Sequence, residues 1–214
     1  MRFSATQLES FRLFMEPEQE WMSEAELTDT LSGILIPNHK IKLGQAFGRV
    51  LESPMPYAVN GGYRICVEGE WFEFGNDVMA EPLKLVDRCG VFEAKAVKAY
   101  GPHEVASRAD YLCGSRLSEF KTTLGSFDFD KYADSYQWRF MADAFQPSRI
   151  TYHVFLLAEA SNGVISLRGI ESFHLYRYDA LQTDCAALVD ACAVYCGSNP
   201  SLAALLTQRQ QDAA

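Results

Sequence analysis

Residues 109–122 read Ala-Asp-Tyr-Leu-Cys-Gly-Ser-Arg-Leu-Ser-Glu-Phe-Lys-Thr, and they decide how the rest of the chain is interpreted. A strand that ends near Asp110 is followed by a glycine turn and by a second strand that carries Glu119 and Lys121. Because residues two apart on a strand point to the same face, Glu119 and Lys121 share a face, and Phe120 points into the opposite, apolar layer. A hairpin of this length brings Asp110 beside them.

The residue types in this hairpin suit phosphate chemistry that depends on a divalent cation. The carboxylates of Asp110 and Glu119 offer the oxygen ligands that Mg²⁺ prefers. Lys121 can orient or deprotonate a water beside a phosphate, and it offsets the negative charge of the phosphate. The alternative is a half-exposed hairpin whose charged side chains face solvent, since short motifs also arise without a function.

The flanking sequence predicts strands and helices on both sides of this hairpin. Alternating apolar residues and turn signals predict strands over 62–74 (a hairpin that turns at Glu68 and Gly69), 91–99, 104–112, 116–121, 150–159 and 164–177. Capping residues and helical spacing predict helices that start at Ser4 and end before Pro17, that start at Ser23, and that cover 44–51, 130–145, 180–196 and 200–209. We therefore expect an α/β fold with a central mixed sheet flanked by helices, in a single domain over residues 1–214.

Composition and charge narrow the class of protein. Hydrophobic residues make up 48% of the 214 residues, which is enough for a full core. The net charge of −9 argues against a generally basic DNA binder of the histone type. It is compatible with a nuclease, because only a local basic strip has to meet phosphate. Lys95, Lys98 and Arg108 are candidates for that strip, and a solvated sheet edge explains them equally well.

Four segments, in order along the chain, resemble the PD-(D/E)XK nuclease superfamily, in particular its RecB-type and phage exonuclease branch. The central one is the hairpin, with its acid, its glycine turn and its Glu-x-Lys-Thr. The other three are 3–11, which resembles the opening helix of RecB-type domains; 44–52, which resembles the first active-site helix; and 132–139, which resembles the helix after the core.

This resemblance implies a restriction-endonuclease-like core and a metal-dependent DNA nuclease. The residues that it implies for catalysis are Asp110, Glu119, Lys121 and Glu52. The metal ligands that it implies are Asp110, Glu119, Glu52 and the carbonyl of Phe120, with Mg²⁺ as the cofactor and Mn²⁺ as a substitute. The DNA contacts that it implies are Gln137, Arg139 and Thr122.

The branch resemblance also favours an exonuclease that acts on DNA ends, with a phage or recombination partner protein and with assembly into a homo-oligomer as further expectations. Exonuclease and endonuclease action both remain open, because channel shape and assembly decide between them.

Two departures from the family pattern favour an alternative function. Gly48 stands where RecB-type enzymes carry a metal-binding histidine, and Met141 stands where the family carries a tyrosine. The alternative is therefore a catalytically inactive DNA-binding or protein-interaction module that kept the nuclease fold. The intact set of Asp110, Glu119 and Lys121 argues against it.

The six cysteines are scattered without a disulfide framework, which predicts reduced thiols in a cytoplasmic protein. Some RecB-type relatives hold an iron–sulfur cluster with three C-terminal cysteines and one near the first helix. Phe14 and Met15 stand where that first cysteine is expected, so we expect no cluster on Cys185, Cys192 and Cys196. The sequence shows neither a signal peptide nor an apolar run of membrane-spanning length, so we expect no membrane partner.

Overall fold

The computed structural model describes residues 1–16, 22–34, 37–87, 89–200, 202 and 204. Its strands are β1 (Arg2–Ser4), β2 (Ala58–Val59), β3 (Gly62–Val67), β4 (Glu70–Gly75), β5 (Val91–Tyr100), β6 (His103–Cys113), β7 (Arg116–Thr123), β8 (Arg149–Glu159) and β9 (Ile165–Leu175). Its α-helices are α1 (Ala5–Met15), α2 (Glu24–Leu31), α3 (His39–Glu52), α4 (Asn76–Met79), α5 (Phe129–Ala133), α6 (Tyr136–Phe145) and α7 (Leu181–Ser198).

All nine strands belong to one mixed sheet. Its order is β1-β6-β7-β8-β9-β4-β3-β2, and β5 pairs with β6. β1 with β6, β7 with β8, and β4 with β9 run parallel, whereas the remaining pairs are antiparallel. The predicted α/β class, with a mixed sheet flanked by helices, is confirmed, and this arrangement is consistent with a restriction-endonuclease-like core.

Strand β6 is shared between two neighbours on one of its sides. β5 pairs with it from His103 to Leu112 and so occupies one side throughout. On the other side, β1 pairs with residues 104–106 and β7 pairs with residues 111–113. Among the described strands, residues 107–110 therefore have no ladder partner on that side. Asp110 lies at the end of this gap, directly before the first residue that pairs with β7.

Helices cover both faces of the sheet because successive strand residues alternate between the faces. On β8, Tyr152 packs with α6, whereas Phe155 packs with Phe47 of α3 and with Phe74 of β4. A third apolar cluster joins α1, α2, α6 and α7 around the beginning of β6. The hairpin of β6 and β7 therefore lies between the α3 layer and the α6 layer.

Local capping explains where the helices begin. Ser23 forms the predicted capping box, and Ser4, predicted only to cap a helix, forms one as well. In both, the serine hydroxyl accepts from the backbone N–H three residues later, and the side chain of that residue accepts from the serine N–H. The prediction that a helix starts at Gly44 was wrong by five residues. The side chain of Asn38 accepts from the N–H of Ile41 and starts α3 at His39.

The single helix predicted over 130–145 is also wrong, because the chain forms two helices there. Asp128 caps α5, whose last residue is Ala133. Ser135 then accepts from the N–H of Gln137 and caps α6 as a new helix. Serine competes with the helical backbone for hydrogen bonds, which is why it favours a helix start over a helix interior.

The hairpin turn at Glu68 and Gly69 is confirmed, with both residues at positive φ. Most of the helix predicted over 200–209 lies outside the described residues, as does Pro17. Within the described ranges, no helix has the length and apolar character needed to cross a membrane.

Candidate active site

Strands β6 and β7 separate beyond the pair formed by Tyr111 and Ser118, and two carboxylates fill the opening. The backbone N–H of Phe120 donates to Asp110 Oδ2 at 2.8 Å. The backbone N–H of Asp110 donates to Glu119 Oε1 at 3.1 Å. Each carboxylate accepts a hydrogen bond that a strand carbonyl accepts in a continuous ladder. Asp110 and Glu119 are therefore held side by side by the main chain.

Lys121 completes this group from the same strand as Glu119. Its Nζ donates to Glu119 Oε2 at 2.9 Å. The side chain of Glu119 is only 1% exposed, whereas that of Lys121 is 27% exposed and reaches a cleft. The predicted sharing of one strand face by Glu119 and Lys121 therefore brings their charged ends into direct contact.

Burial dominates the electrostatics of Glu119. It raises the pKa of this carboxyl to about 7, and the nearby charge of Asp110 adds to the rise. The ammonium group of Lys121 and the N–H of Asp110 oppose the rise but do not cancel it. A cation beside the two carboxylates would oppose this rise and favour the ionised form of Glu119.

The pKa of Lys121 changes in the opposite sense to what burial alone causes. Burial lowers the pKa of an ammonium group, but the charges of Glu119 and Asp110 outweigh this and raise the pKa of Lys121. Lys121 is therefore an ammonium ion at neutral pH, so it acts as a hydrogen-bond donor.

Phe120, between the two charged residues, packs on the other side of the strand. Its ring contacts Tyr111, stacks on His153 at an interplanar angle of 24°, and meets Phe155. This agrees with the predicted apolar layer, although Phe120 stays half-buried because it also lines two clefts.

The first cleft has a volume of about 410 Å³ and lies between α3 and the strands β5 and β6. Gly44, Gly48 and Glu52, spaced four residues apart, lie along one face of α3 and line it together with Asp110. Gly44 permits the close approach of α3 to β7, because a Cβ there would lie 3.1 Å from Thr122 Oγ1. At Gly48 nothing beyond its own stretch of helix lies within 4 Å of the position of a Cβ, so the space beside this residue is open.

Glu93 distorts β5 directly across from Asp110. It has φ 53°, in the left-handed region. The strands pair at Phe92 with Tyr111 and at Ala94 with Ala109, but Glu93 and Asp110 between them do not pair. The carboxylate of Glu93 pairs with Arg108 at 2.8 Å and lines the first cleft. A left-handed residue other than glycine carries backbone strain, and such strain concentrates at functional sites.

The second cleft has a volume of about 590 Å³, and of the carboxylate group and its lysine only Lys121 lines it. Its wall includes the first turns of α3, the end of β7 and helix α5. Gly44, Gly48 and Phe120 line both clefts, so the two clefts adjoin there, and together we call them the groove.

The structure brings most of the predicted site residues to this groove. Asp110, Glu119 and Lys121 form one hydrogen-bonded group, and Thr122 lines the second cleft. Glu52 lines the first cleft with Asp110. In the described part of the chain, however, the carboxylates of Glu52, Asp110 and Glu119 do not all lie within 4.8 Å of one another, so they do not form a compact three-ligand group.

Gln137 and Arg139 lie on α6 and line neither cleft. The guanidinium of Arg139 stacks 4.3 Å from the ring centroid of Tyr136 and also approaches the rings of Trp138 and Tyr178. The role of both residues in DNA contact stays a prediction.

The sequence reasoning missed several residues that line the groove. Arg49, Glu93 and Gln45 line the first cleft, and Lys40, Lys131 and Tyr132 line the second. A signal was available for Arg49, which lies one residue beyond Gly48 on the helix that carries Glu52. For Lys40 and Lys131 there was none, because residues about 90 positions apart meet only in the folded chain.

The donor set of the carboxylate group fits a hard divalent cation. Asp110 and Glu119 offer only oxygen atoms, the ligands that hard divalent cations such as Mg²⁺ prefer. A different group, formed by Asp87, Cys89 and Cys113, is the one set of three metal-binding side chains in the described ranges whose ligand atoms all lie within 4.8 Å of one another. Its two sulfur atoms make it unlike a magnesium site.

Comparison with known proteins gives a likeness of fold. Neither protein-family models nor curated proteins match the chain. Among solved structures, a crystal structure of SSO0001 is similar with a TM-score of 0.51 and 14% identity, covering 91% of this chain and 76% of that chain. A crystal structure of LHK-Exo in complex with dAMP has a TM-score of 0.43 and 15% identity, covering 99% and 92%. At 14% identity, the similarity to SSO0001 concerns the fold alone.

Proposed function

We propose that the chain, as a single domain, is a metal-dependent DNA nuclease of the PD-(D/E)XK type that hydrolyses phosphodiester bonds. The observation that carries this proposal is the opening between β6 and β7, which Asp110 and Glu119 fill while Lys121 pairs with Glu119. The four sequence segments that resemble the superfamily support it.

Asp110, Glu119 and the carbonyl of Phe120 would hold Mg²⁺, and Glu52 would reach toward it across the first cleft. When bound, the ion would act as a Lewis acid on the phosphate and would lower the pKa of a water. Mn²⁺ would substitute, because it accepts the same oxygen ligands.

The side chains of the protein supply orientation and charge. Lys121 donates to a phosphate oxygen or to the attacking water, because its raised pKa keeps it protonated. We therefore assign it to positioning and to charge stabilisation instead of proton removal. Glu119 keeps Lys121 in place through their 2.9 Å contact. Thr122 contacts the substrate in the second cleft.

The branch resemblance favours an exonuclease that acts on DNA ends. The alternative is an inactive DNA-binding or protein-interaction module, and the observation in its favour is Gly48, which supplies no ligand in the first cleft.

The test is incubation of the purified protein with end-labelled linear DNA and with covalently closed circular DNA, with Mg²⁺, Mn²⁺ or EDTA. We expect degradation of linear DNA that depends on the metal, and little cleavage of the closed circle. Cleavage of both substrates would indicate an endonuclease. Absence of cleavage under all conditions, with DNA binding retained, would favour the inactive module.

A further inference from the structure

The second cleft differs in charge from the first and from the protein as a whole. The chain carries a net charge of −9, and three of the described residues that line the first cleft are acidic, with two arginines beside them. The described lining of the second cleft contains Lys40, Lys121 and Lys131 and no aspartate or glutamate. We call this second cleft the lysine cleft.

Two of these lysines have no carboxylate partner in the described part of the chain. Lys40 and Lys131 are exposed and form no ion pair there, whereas Lys121 pairs with Glu119. An ammonium group without a carboxylate partner keeps its full charge for a ligand, and a concave wall with one sign of charge concentrates the field.

The lysine cleft also has an aromatic wall. Tyr132 lines it, and its ring is backed by Phe127, which lies nearly parallel at an interplanar angle of 17°. Lysines that track a phosphate backbone, combined with a ring on which a base stacks, form the usual arrangement in sites for single-stranded nucleic acid.

The size and position of the cleft indicate which part of a nucleic acid it takes. A volume of about 590 Å³ is in the range of small-ligand sites, so it suits a nucleotide or two of one strand and not a double helix. It joins the first cleft at Phe120, beside the carboxylates. Lys121 lines the lysine cleft and pairs with Glu119, so a strand bound in this cleft lies next to the carboxylate group.

We propose that the lysine cleft binds a single DNA strand next to the bond to be cleaved, with Lys40 and Lys131 on its phosphates and Tyr132 against a base. The link to cleavage rests on the proposed nuclease function, whereas the binding itself does not.

The test compares two variants that each remove two positive charges. Lys40→Ala/Lys131→Ala alters the lysine cleft and leaves Lys121 in place. Arg64→Ala/Lys84→Ala is the control, because both residues are at least half-exposed, pair with exposed glutamates and line neither cleft. Equal loss of charge means that only a local effect can separate the two variants.

Binding of fluorescently labelled oligothymidylate is measured by anisotropy in EDTA, which prevents cleavage, over a range of salt concentrations. For the cleft variant we expect weaker binding, and a slope of log K against log salt that is shallower than that of wild type by about 1.4, since each phosphate contact on a single strand contributes about 0.7. The control should keep the slope of wild type.

Equal slopes for the cleft variant and the control would overturn the proposal, as would a wild type that does not bind at low salt. A blunt duplex that loses affinity as strongly as the single strand would overturn the assignment to one strand. Cleavage in Mg²⁺ is measured separately. Binding through the two lysines without cleavage would refute the nuclease function and support the lysine cleft as a binding site. Cleavage with a salt slope that the cleft variant leaves unchanged would support the nuclease function and refute this binding site.

Discussion

Replacement of Glu119 by glutamine should make the metal-free protein more stable at alkaline pH. The side chain is 1% exposed, and its pKa is raised to about 7 by burial and by Asp110. Glutamine keeps the size and an acceptor oxygen but cannot ionise, so it mimics the protonated acid. The variant therefore avoids the cost of a buried negative charge.

The pKa values define the sign and size of the effect. The folded pKa lies above the ordinary value of 4.5, so the protonated carboxyl contributes stability that is fully present below about pH 4.5 and is lost as the pH rises through about 7. At about 1.4 kcal/mol per pH unit, Glu119→Gln should exceed wild type by roughly 1 kcal/mol at pH 5 and by roughly 3 kcal/mol at pH 8.

The measurement is urea denaturation of both proteins in EDTA at these two pH values. Glu73→Gln serves as the control, because Glu73 is 69% exposed and its replacement should change stability by less than about 0.5 kcal/mol. Added Mg²⁺ should then stabilise wild type more than Glu119→Gln, by mass action on the folded state. If wild type and Glu119→Gln differ by the same amount at both pH values, Glu119 does not titrate in this range and the argument from burial is refuted.

Three further predictions concern catalysis, backbone strain and the cysteines. Lys121→Ala should slow single-turnover cleavage on the order of 10²–10³-fold, the usual effect of removing one donor that stabilises charge, with little change in DNA binding. Asp110→Asn should slow it further while DNA binding holds or tightens; cleavage by both variants at the rate of wild type would show that the centre is wrongly assigned. Glu93→Gly should be more stable than Glu93→Ala by about 1 kcal/mol in urea denaturation, because φ 53° suits glycine, and the opposite order would show that the backbone there is unstrained. Anaerobically purified protein should be colourless and free of stoichiometric iron; visible cluster absorption would contradict the structural role that we assign to three cysteines buried in the apolar cluster around α7, namely Cys185, Cys192 and Cys196.

Much of the fold was predictable because the signals for it are local. Alternating residues predicted the long strands, and serine hydroxyls at Ser4 and Ser23 predicted helix starts within a residue. Within the site, the shared face of Glu119 and Lys121 follows from the two-residue period of a strand. These features depend on residues that are neighbours in the sequence, and so the sequence alone predicts them.

The features that were missed depend on segments far apart in the chain. Strand β1 occupies the side of β6 that β7 leaves free, and nothing in the hairpin itself predicts this separation. The start of α3 and the break before Ser135 depend on one side-chain hydrogen bond each, which competes closely with the alternative of a longer or shorter helix.

The opening in the sheet links the stability of the fold to its proposed chemistry. Asp110 and Glu119 each accept a hydrogen bond from a backbone N–H that faces the opening. Alanine at either position removes the acceptor and leaves that N–H without a partner, which costs roughly 1–3 kcal/mol when the group is buried. A loss of activity in such a variant would then combine a damaged sheet with a missing charge. Asparagine at Asp110 keeps an acceptor oxygen for the N–H of Phe120, and so it separates the two effects. Glutamine at Glu119 keeps one acceptor oxygen but loses the second, which holds Lys121. If Asp110→Asn keeps the fold and loses metal-dependent cleavage, the carboxylate charge itself is what the chemistry requires.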